Sequence, residues 1–115
     1  METACIFCEI AQGRSEADVV LATDDAIWFR DISPKAPVHV VVAPRKHIAS
    51  LATAQSEDSD VLGSMLIDSA RVAREAGLEA GGYRVITNIG SDAGQAVEHI
   101  HFHILGGESL GPLRC

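Results

Sequence analysis

Residues 99–105, His99-Ile100-His101-Phe102-His103-Ile104-Leu105, are the stretch that decides the fold class of this chain. Histidines alternate with apolar residues, and successive side chains of a β-strand point to opposite faces. The pattern therefore predicts a strand with three imidazoles in a row on one face, and an apolar face whose packing under a helix fixes the register. At about 3.3 Å per residue, the outer two histidines would lie roughly 13 Å apart at their Cα atoms, which describes a row and not a three-ligand metal cage.

Elsewhere in the chain, short apolar runs bounded by turn residues predict the remaining strands. These runs cover residues 19–22, 27–29, 38–43 and 83–87. Two loops lie between the runs: residues 31–37, which contain two prolines, and residues 90–95, which contain two glycines.

Two helices are also predicted. The first covers residues 5–12, and the second begins with Ser56 as its N-cap and ends at Gly77. One face of the second helix carries the side chains expected to pack against the sheet, namely Leu62, Met65, Leu66, Ser69, Val72, Ala73 and Ala76. Val61 and Ile67 lie off this face, which indicates a surface for a partner.

Length and composition are typical of one folded domain, residues 1–115. The chain has 115 residues, of which 47% are hydrophobic and 22% charged. A net charge of −7 argues against a general nucleic-acid or anionic-membrane surface, because such surfaces are rich in Lys and Arg. No apolar run approaches the roughly 20 residues of a membrane span, and residues 1–4 do not open a secretion signal, so we expect a cytoplasmic protein.

The cysteines give a further indication. The chain has an odd number of cysteines, Cys5, Cys8 and Cys115, and the first two are spaced C-x-x-C. This spacing is too tight for an ordinary structural disulfide framework, so reduced thiols or a metal site fit better. A pair of buried cysteines on a short helix would show the same pattern.

From the residues alone, three interpretations of the histidine row stay open. A polar strand face explains any one histidine, and a zinc site shared by a His-x-His pair explains two. A nucleophilic site explains all three, because a neutral imidazole, with an ordinary pKa near 6.5, attacks phosphorus at neutral pH while a neighbour gives a proton to the leaving group. Repulsion between clustered imidazoles also helps to keep the attacking nitrogen unprotonated.

The motif at residues 99–105 resembles the H-φ-H-φ-H-φ-φ signature of the histidine triad (HIT) superfamily, and Gly106-Gly107 resembles its Hint branch. Further matches extend over nearly the whole chain, at Ile6-Phe7, residues 29–39 (FRDISPKAPVH), Asn88 and Gly94-Gln95. The resemblance implies an α+β fold with a five-stranded antiparallel sheet, one long and one short helix. It also implies a homodimer joined through the long helices and central strands.

The same resemblance implies a nucleotide-binding hydrolase. Its substrates would be purine nucleoside 5′-phosphoramidates or acyl nucleotides, that is, conjugates of AMP or GMP, and catalysis would need no metal. His101 would attack the α-phosphorus and form a covalent nucleotidyl-histidine. His103 would contact the phosphate and assist the leaving group, while His99 and His39 would support and orient the pair.

Other residues would bind the nucleotide, again by resemblance. Asp31 would accept the ribose hydroxyls, although an Asp before Ser-Pro is also typical of a plain turn. Asn88 and Gln95 would line the ribose and phosphate, and backbone N–H groups around Gly94 and Ala96 would donate to phosphate oxygens. The purine slot would be formed by Ile6, Phe7, Ile10, Phe29 and Ile32, each of which could instead be ordinary core.

A structural zinc ion (Zn²⁺) is implied as well. Bacterial members of the superfamily that begin C-x-F-C hold zinc with residues matching Cys5, Cys8, His47 and His99, and a Cys₂His₂ set is chemically sound.

Three positions depart from the family pattern. Ala96 stands where a hydroxyl or acidic residue is frequent, Glu98 where an aromatic is common, and Glu108 where Arg is frequent. These departures leave the substrate preference open. Two rival functions follow: cleavage or phosphorolysis of dinucleoside polyphosphates, against which Gly106-Gly107 weighs mildly, and a nucleotide-sensing scaffold protein with vestigial catalysis.

Overall fold

A computed structural model describes residues 5–112 and contains one sheet with a helix on each face. The expectations for residues 1–4 and for Cys115 lie outside the described residues. The strands are β1 Val19–Ala22, β2 Ala26–Arg30, β3 Val38–Pro44, β4 Tyr83–Ile86 and β5 Phe102–Gly106. Their order is β1-β2-β3-β5-β4 and every neighbouring pair is antiparallel, which confirms the α+β class and the five-stranded antiparallel sheet.

Strand β5 is shorter than predicted. It begins at Phe102, so His99, which lies in a bend, and Ile100 and His101, which have no regular structure, precede it, and the predicted strand over 99–105 is wrong at its start. The partner strand β3 ends at Pro44, which has no N–H to continue a ladder, and the N–H of Ile100 donates instead to the carbonyl of Ile48 at 2.6 Å.

The short helix α1, Ile6–Ala11, forms where it was predicted. Cys5 is its N-cap, and the Cys5 Sγ accepts the N–H of Cys8 at 3.5 Å. Gly13 has a φ of +75°, and the N–H of Arg14 donates to the carbonyl of Glu9 at 2.8 Å, so the helix ends in a Schellman motif. The positive φ of Gly13 therefore ends the helix and turns the chain toward residues 16 and 17, which lie beside the same small core.

The long helix α2, Ser59–Glu75, has Asp58 as its N-cap and so begins two residues later than predicted. Ser56 opens a 3₁₀ turn, Ser56–Asp58, and is not the N-cap of the α-helix. The carboxylate of Asp58 instead accepts the N–H of Gln55 at 2.8 Å and stabilises this entry. At the other end Gly77 has a φ of +80°, so the predicted stop there is confirmed.

The main core lies between α2 and the sheet. Ile100, Phe102 and Ile104 lie in one buried cluster with Met65, Val72 and Ala73 of α2, so the predicted apolar face of the histidine stretch is confirmed. Trp28 donates its indole N–H to the Ser69 hydroxyl at 3.0 Å inside this cluster. Three predictions for α2 are wrong: Leu66 is half exposed, Ala76 is exposed, and Val61 packs against the core. No helix among residues 5–112 is long and apolar enough to cross a membrane.

A second, smaller core lies on the opposite face of the sheet. Ile10 and Ala11 of α1 pack there against Ile27, Phe29 and Val41, with Phe7 and Ala17 at the margin. Because Val41 is the register partner of His103, this face is the one that carries the histidines. One face of the sheet is thus covered by α2, and the other carries both the smaller core and the histidines.

Candidate active site

The rings of His39, His101 and His103 meet on the sheet face opposite α2. The ring centroids of His39 and His103 are 5.1 Å apart, and those of His101 and His103 are 5.0 Å apart. Because β3 and β5 pair antiparallel, His39 and His103 lie on the same face in adjacent strands. The structure therefore brings three of the four predicted catalytic imidazoles together in one row.

The ring of His101 has one nitrogen fixed by the chain itself. Its Nδ1 lies 2.7 Å from the carbonyl oxygen of His99, and since a carbonyl only accepts, Nδ1 must carry the hydrogen. The lone pair of the neutral ring is then on Nε2. The edge of the Phe7 ring packs against His101, with centroids 4.9 Å apart, and helps to hold this orientation. In the neutral tautomer, Nε2 is therefore the nitrogen of His101 that can act as a nucleophile.

A chain of hydrogen bonds fixes His39 and His103 in the same way. The backbone N–H of Lys35 donates to His39 Nδ1 at 3.1 Å, so the hydrogen of the neutral His39 ring is on Nε2. His39 Nε2 lies 2.9 Å from His103 Nδ1 and donates to it. His103 consequently carries its own hydrogen on Nε2, where it is a donor and not a base.

Burial keeps both of these rings neutral. The pKa of His103 falls to about 4, first because the ring is desolvated and then because His101 and His39 lie beside it. Desolvation also lowers the pKa of His39, against the opposing pull of the Asp31 carboxylate. The hydrogen-bond chain from Lys35 therefore operates with neutral imidazoles at pH 7.

Asp31, His39 and His103 also place three potential metal-binding atoms within 4.8 Å of one another. A metal there would need the lone pair of His39 at Nε2, which would move the ring hydrogen to Nδ1. That hydrogen would point at the N–H of Lys35, which now donates to the same nitrogen. The cluster is therefore better suited to passing hydrogen bonds than to holding a cation.

Next to the histidine row lies a cavity of about 240 Å³. All five predicted purine-slot residues line it, with Phe7 and Phe29 edge to face at 5.5 Å and Ile32 almost fully exposed at the rim. Asp31 lines it too, 3.5 Å from His39 Nε2 through Oδ2. Its Oδ1 accepts the N–H of Ser33 at 2.8 Å, so the turn expected of an Asp before Ser-Pro is present along with the cavity position.

Five further residues line this cavity although the sequence did not single them out: Glu16, Ala17, Arg30, Val41 and Val97. Val41 reads in sequence as ordinary core of a central strand. Glu16 and Ala17 lie in a segment with neither helical nor strand periodicity, so no pattern marks them. Only the packing of α1 on the sheet brings this segment to the cavity.

The loop before the histidine row is held by Gln95. Its Oε1 accepts the N–H of Gly90 at 2.9 Å, and its Nε2 donates to the carbonyls of Ala49 and Val97 at 2.8 and 3.0 Å. The amide is thereby used within the loop, which departs from the expected direct contact with ribose or phosphate.

Three other predicted phosphate-side residues lie around this loop. Gly94 is left-handed, with a φ of +80°, and Ala96 is exposed. Asn88 is half buried and follows β4, next to Thr87, whose hydroxyl donates to the His101 carbonyl at 2.9 Å. Asn88 is therefore adjacent in sequence to a residue that contacts the His101 backbone.

Cys5, Cys8, His47 and His99 form a separate group at the start of α1. Their ligand atoms all lie within 4.8 Å of one another, with Cys8 Sγ 3.3 Å from His47 Nδ1 and Cys5 Sγ 3.3 Å from His99 Nδ1. Such spacings match the corners of a tetrahedron around an ion with bonds of about 2.0–2.3 Å. His99 donates its Nε2 hydrogen to the Pro44 carbonyl at 2.8 Å, which turns the Nδ1 lone pair to the thiols. The donor set therefore fits zinc.

Comparison with known proteins gives consistent matches. A family model described as "Scavenger mRNA decapping enzyme C-term binding" matches residues 4–113. The purine nucleoside phosphoramidase of Escherichia coli K12 is 38% identical over 113 residues, which cover 98% of this chain and 95% of that protein. A HIT family hydrolase from Legionella pneumophila has a TM-score of 0.92 and 42% identity, covering 94% of this chain and 96% of that one. A histidine triad protein from Clostridium difficile has a TM-score of 0.93 and 39% identity, covering 99% and 100%.

Proposed function

This chain belongs to the histidine triad (HIT) family, and from that premise we propose that it is a hydrolase of purine nucleoside 5′-phosphoramidates and related nucleotide conjugates. The single observation that carries the proposal is the hydrogen bond from His101 Nδ1 to the His99 carbonyl, which leaves the lone pair of the neutral ring on Nε2. The His101 ring also packs on Phe7, which lines the purine cavity, with centroids 4.9 Å apart. A nucleotide whose base lies in the cavity and whose ribose lies at Asp31 would present its α-phosphate to that nitrogen.

Two displacements at phosphorus account for the reaction. His101 Nε2 bonds to the α-phosphorus while the bond to the amine breaks, and the amine leaves with a proton delivered through His103. The bound phosphate raises the proton affinity of His103, which is low in the free protein. Water then attacks phosphorus, the bond to His101 breaks, the monophosphate leaves, and the proton of the water restores His103.

The proposal is tested by incubating the protein with adenosine and guanosine 5′-phosphoramidate and measuring release of the monophosphate. We expect turnover, and a loss of about a thousandfold or more in His101→Ala, because no neighbouring group replaces the nucleophile. Diadenosine polyphosphate is tested in the same assay, because its cleavage is the rival reaction. Turnover of the dinucleotide alone, or full activity of His101→Ala, would contradict the proposal.

We also propose that Cys5, Cys8, His47 and His99 hold a structural zinc ion. The ion would supply no chemistry at phosphorus; it would fix the N-terminus of α1 to the segment that ends in His101. The two half-buried thiols and the oriented His99 ring support this assignment over a simple pair of buried cysteines. A thiolate zinc site also suits a reducing cytoplasm, where we propose that the protein acts.

A homodimer is the third part of the proposal. Leu66 and Ile67 of α2 are 49% and 74% exposed, which is unusual for neighbouring large apolar residues on a helix. A second copy of the chain would cover them. No binding to nucleic acid or membranes is proposed, in keeping with the net charge of −7.

A further inference from the structure

The purine cavity carries one acidic side chain that the proposed reaction does not use. Its polar lining consists of Glu16, Arg30 and Asp31. Asp31 faces His39 at the catalytic end, and the Arg30 guanidinium pairs with the Asp18 carboxylate at 2.9 Å. Within residues 5–112, Glu16 has no ion-pair partner. Its carboxylate is thus available to a ligand.

The backbone that carries Glu16 is anchored. The adjacent Ala17 packs against the small core formed by residues of α1 and the sheet, including Ile10 and Phe29. The same two residues form walls of the cavity. A purine base stacked between these apolar walls would therefore have its edge within reach of an acceptor held at the rim, while the ribose lies toward Asp31.

Purine bases differ in what they offer to a carboxylate. Guanine presents two adjacent donors, N1–H and the 2-amino group, which match the two oxygens of an ionised acid. Hypoxanthine presents N1–H alone. Adenine presents one amino donor next to the N1 lone pair, and that lone pair would face a negative charge. A lone carboxylate at a base edge therefore favours guanine.

We propose that Glu16 accepts hydrogen bonds from guanine N1–H and the 2-amino group, so that the substrate class of this protein is conjugates of guanosine 5′-monophosphate. The proposal rests on the proposed function, since it requires a purine nucleotide in the cavity. Glu16 is then the residue that sets base specificity, and it has no part in the displacement at phosphorus.

The test uses guanosine, inosine and adenosine 5′-phosphoramidate with the full-length protein. We expect kcat/KM to decrease in that order, with guanosine about tenfold or more above adenosine, the effect of one charge-assisted hydrogen bond. In Glu16→Gln the guanosine-to-adenosine ratio should fall about tenfold. Asp24→Asn, which removes the same charge at an exposed turn outside the cavity, should keep the parent ratio.

Direct binding separates this inference from the proposed function. GMP and AMP affinities are measured by calorimetry on the parent and on Glu16→Gln. If phosphoramidates are hydrolysed but GMP and AMP bind equally, or the ratio is the same in Glu16→Gln, the base assignment is wrong and the hydrolase stands. If GMP binds more tightly through Glu16 but no conjugate is hydrolysed, the assignment holds and the reaction is wrong.

Discussion

Backbone groups, and not charged side chains, set the tautomers of the histidine row. His101 is fixed by the carbonyl of His99, and His39 by the N–H of Lys35 in the loop between β2 and β3. Backbone groups do not titrate, so in the neutral rings they place the lone pair of His101 on Nε2 and, through His39, the hydrogen of His103 on its own Nε2. The prolines at 34 and 37 restrict the loop that carries Lys35, which makes the arrangement rigid as well as neutral.

The low pKa of His103 predicts how stability depends on pH. The folded-state pKa is about 4 and the unfolded value is near 6.5, so between these values the unfolded chain binds a proton that the native protein does not. Stability therefore falls as pH decreases through this window, by at most about 1.4 kcal/mol per pH unit for one group. We expect the drop in unfolding free energy from pH 7 to pH 5, measured with urea, to be about 1–2 kcal/mol smaller in His103→Gln. An equal drop in parent and variant would show that His103 is protonated in the native state.

Helix α1 links the cysteine group to the cavity that we propose binds the purine. Its six residues are too few to form a stable helix alone, so its position depends on what holds its ends. Phe7 contacts Phe29 in the cavity wall and also the rings of His99 and His101, with centroids 5.9 and 4.9 Å away. A change at the cysteines is thus transmitted to the purine slot through one short helix.

Removal of the metal should therefore weaken nucleotide binding more than catalysis. We expect about one zinc ion per chain by elemental analysis of the purified protein, and little in Cys8→Ser. In that variant KM should rise about tenfold with a smaller change in kcat, because α1 carries three of the five predicted purine contacts. Cys115→Ser is the matched control, with parent metal content expected. A zinc-free parent protein with normal KM would contradict the assignment.

The turn after β5 gives a prediction about the free energy of unfolding. Gly107 has a φ of +98°, and an added Cβ would lie 2.9 Å from Cβ of Pro37. Gly107→Ala should lower the free energy of unfolding by about 1–3 kcal/mol through both strain and contact. Gly63→Ala, in the middle of α2 with nothing within 4 Å, should instead raise it by up to about 1 kcal/mol. Urea unfolding of both variants gives the comparison, and equal effects would show that the turn relaxes freely.

Local sequence patterns predicted most elements: short apolar runs for β1 to β4, the alternation of residues 99–105 for β5, and one apolar face for α2. They failed where a non-local contact decides. The start of β5 depends on Pro44 and on the carbonyl of Ile48, which are more than 50 residues away in the chain. The position of Glu16 depends on how α1 packs, and the use of the Gln95 amide depends on the Ala49 carbonyl. The alternation of residues 99–105 identified the histidines of the site. Their tautomers could be assigned only from the hydrogen-bond partners that the fold places beside each ring.

The sheet has two edge strands. Strand β1 forms one edge and β4 the other. In β4, Tyr83 and Val85 are 38% and 40% exposed, and Val85 is the register partner of Ile104, which lies in the core beneath α2. These two side chains therefore point to the same side of the sheet as α2. Leu66 and Ile67 of α2 are exposed as well, so a free monomer would leave four large apolar side chains of α2 and β4 in water.

The position of these side chains predicts where a dimer would form and how it could be broken. A second copy related by a two-fold axis would bury α2 against α2 and could pair the two β4 edges into a continuous sheet. We expect the parent chain to have twice the monomer mass by light scattering, and Ile67→Glu to be monomeric at micromolar concentration, because a charge at a buried interface costs several kcal/mol. Val19→Glu places the same charge on a residue 46% exposed at the β1 edge, and this variant should stay dimeric. Dissociation by Val19→Glu but not by Ile67→Glu would move the interface to the opposite edge, whereas a monomeric parent would mean that these exposed side chains serve another partner.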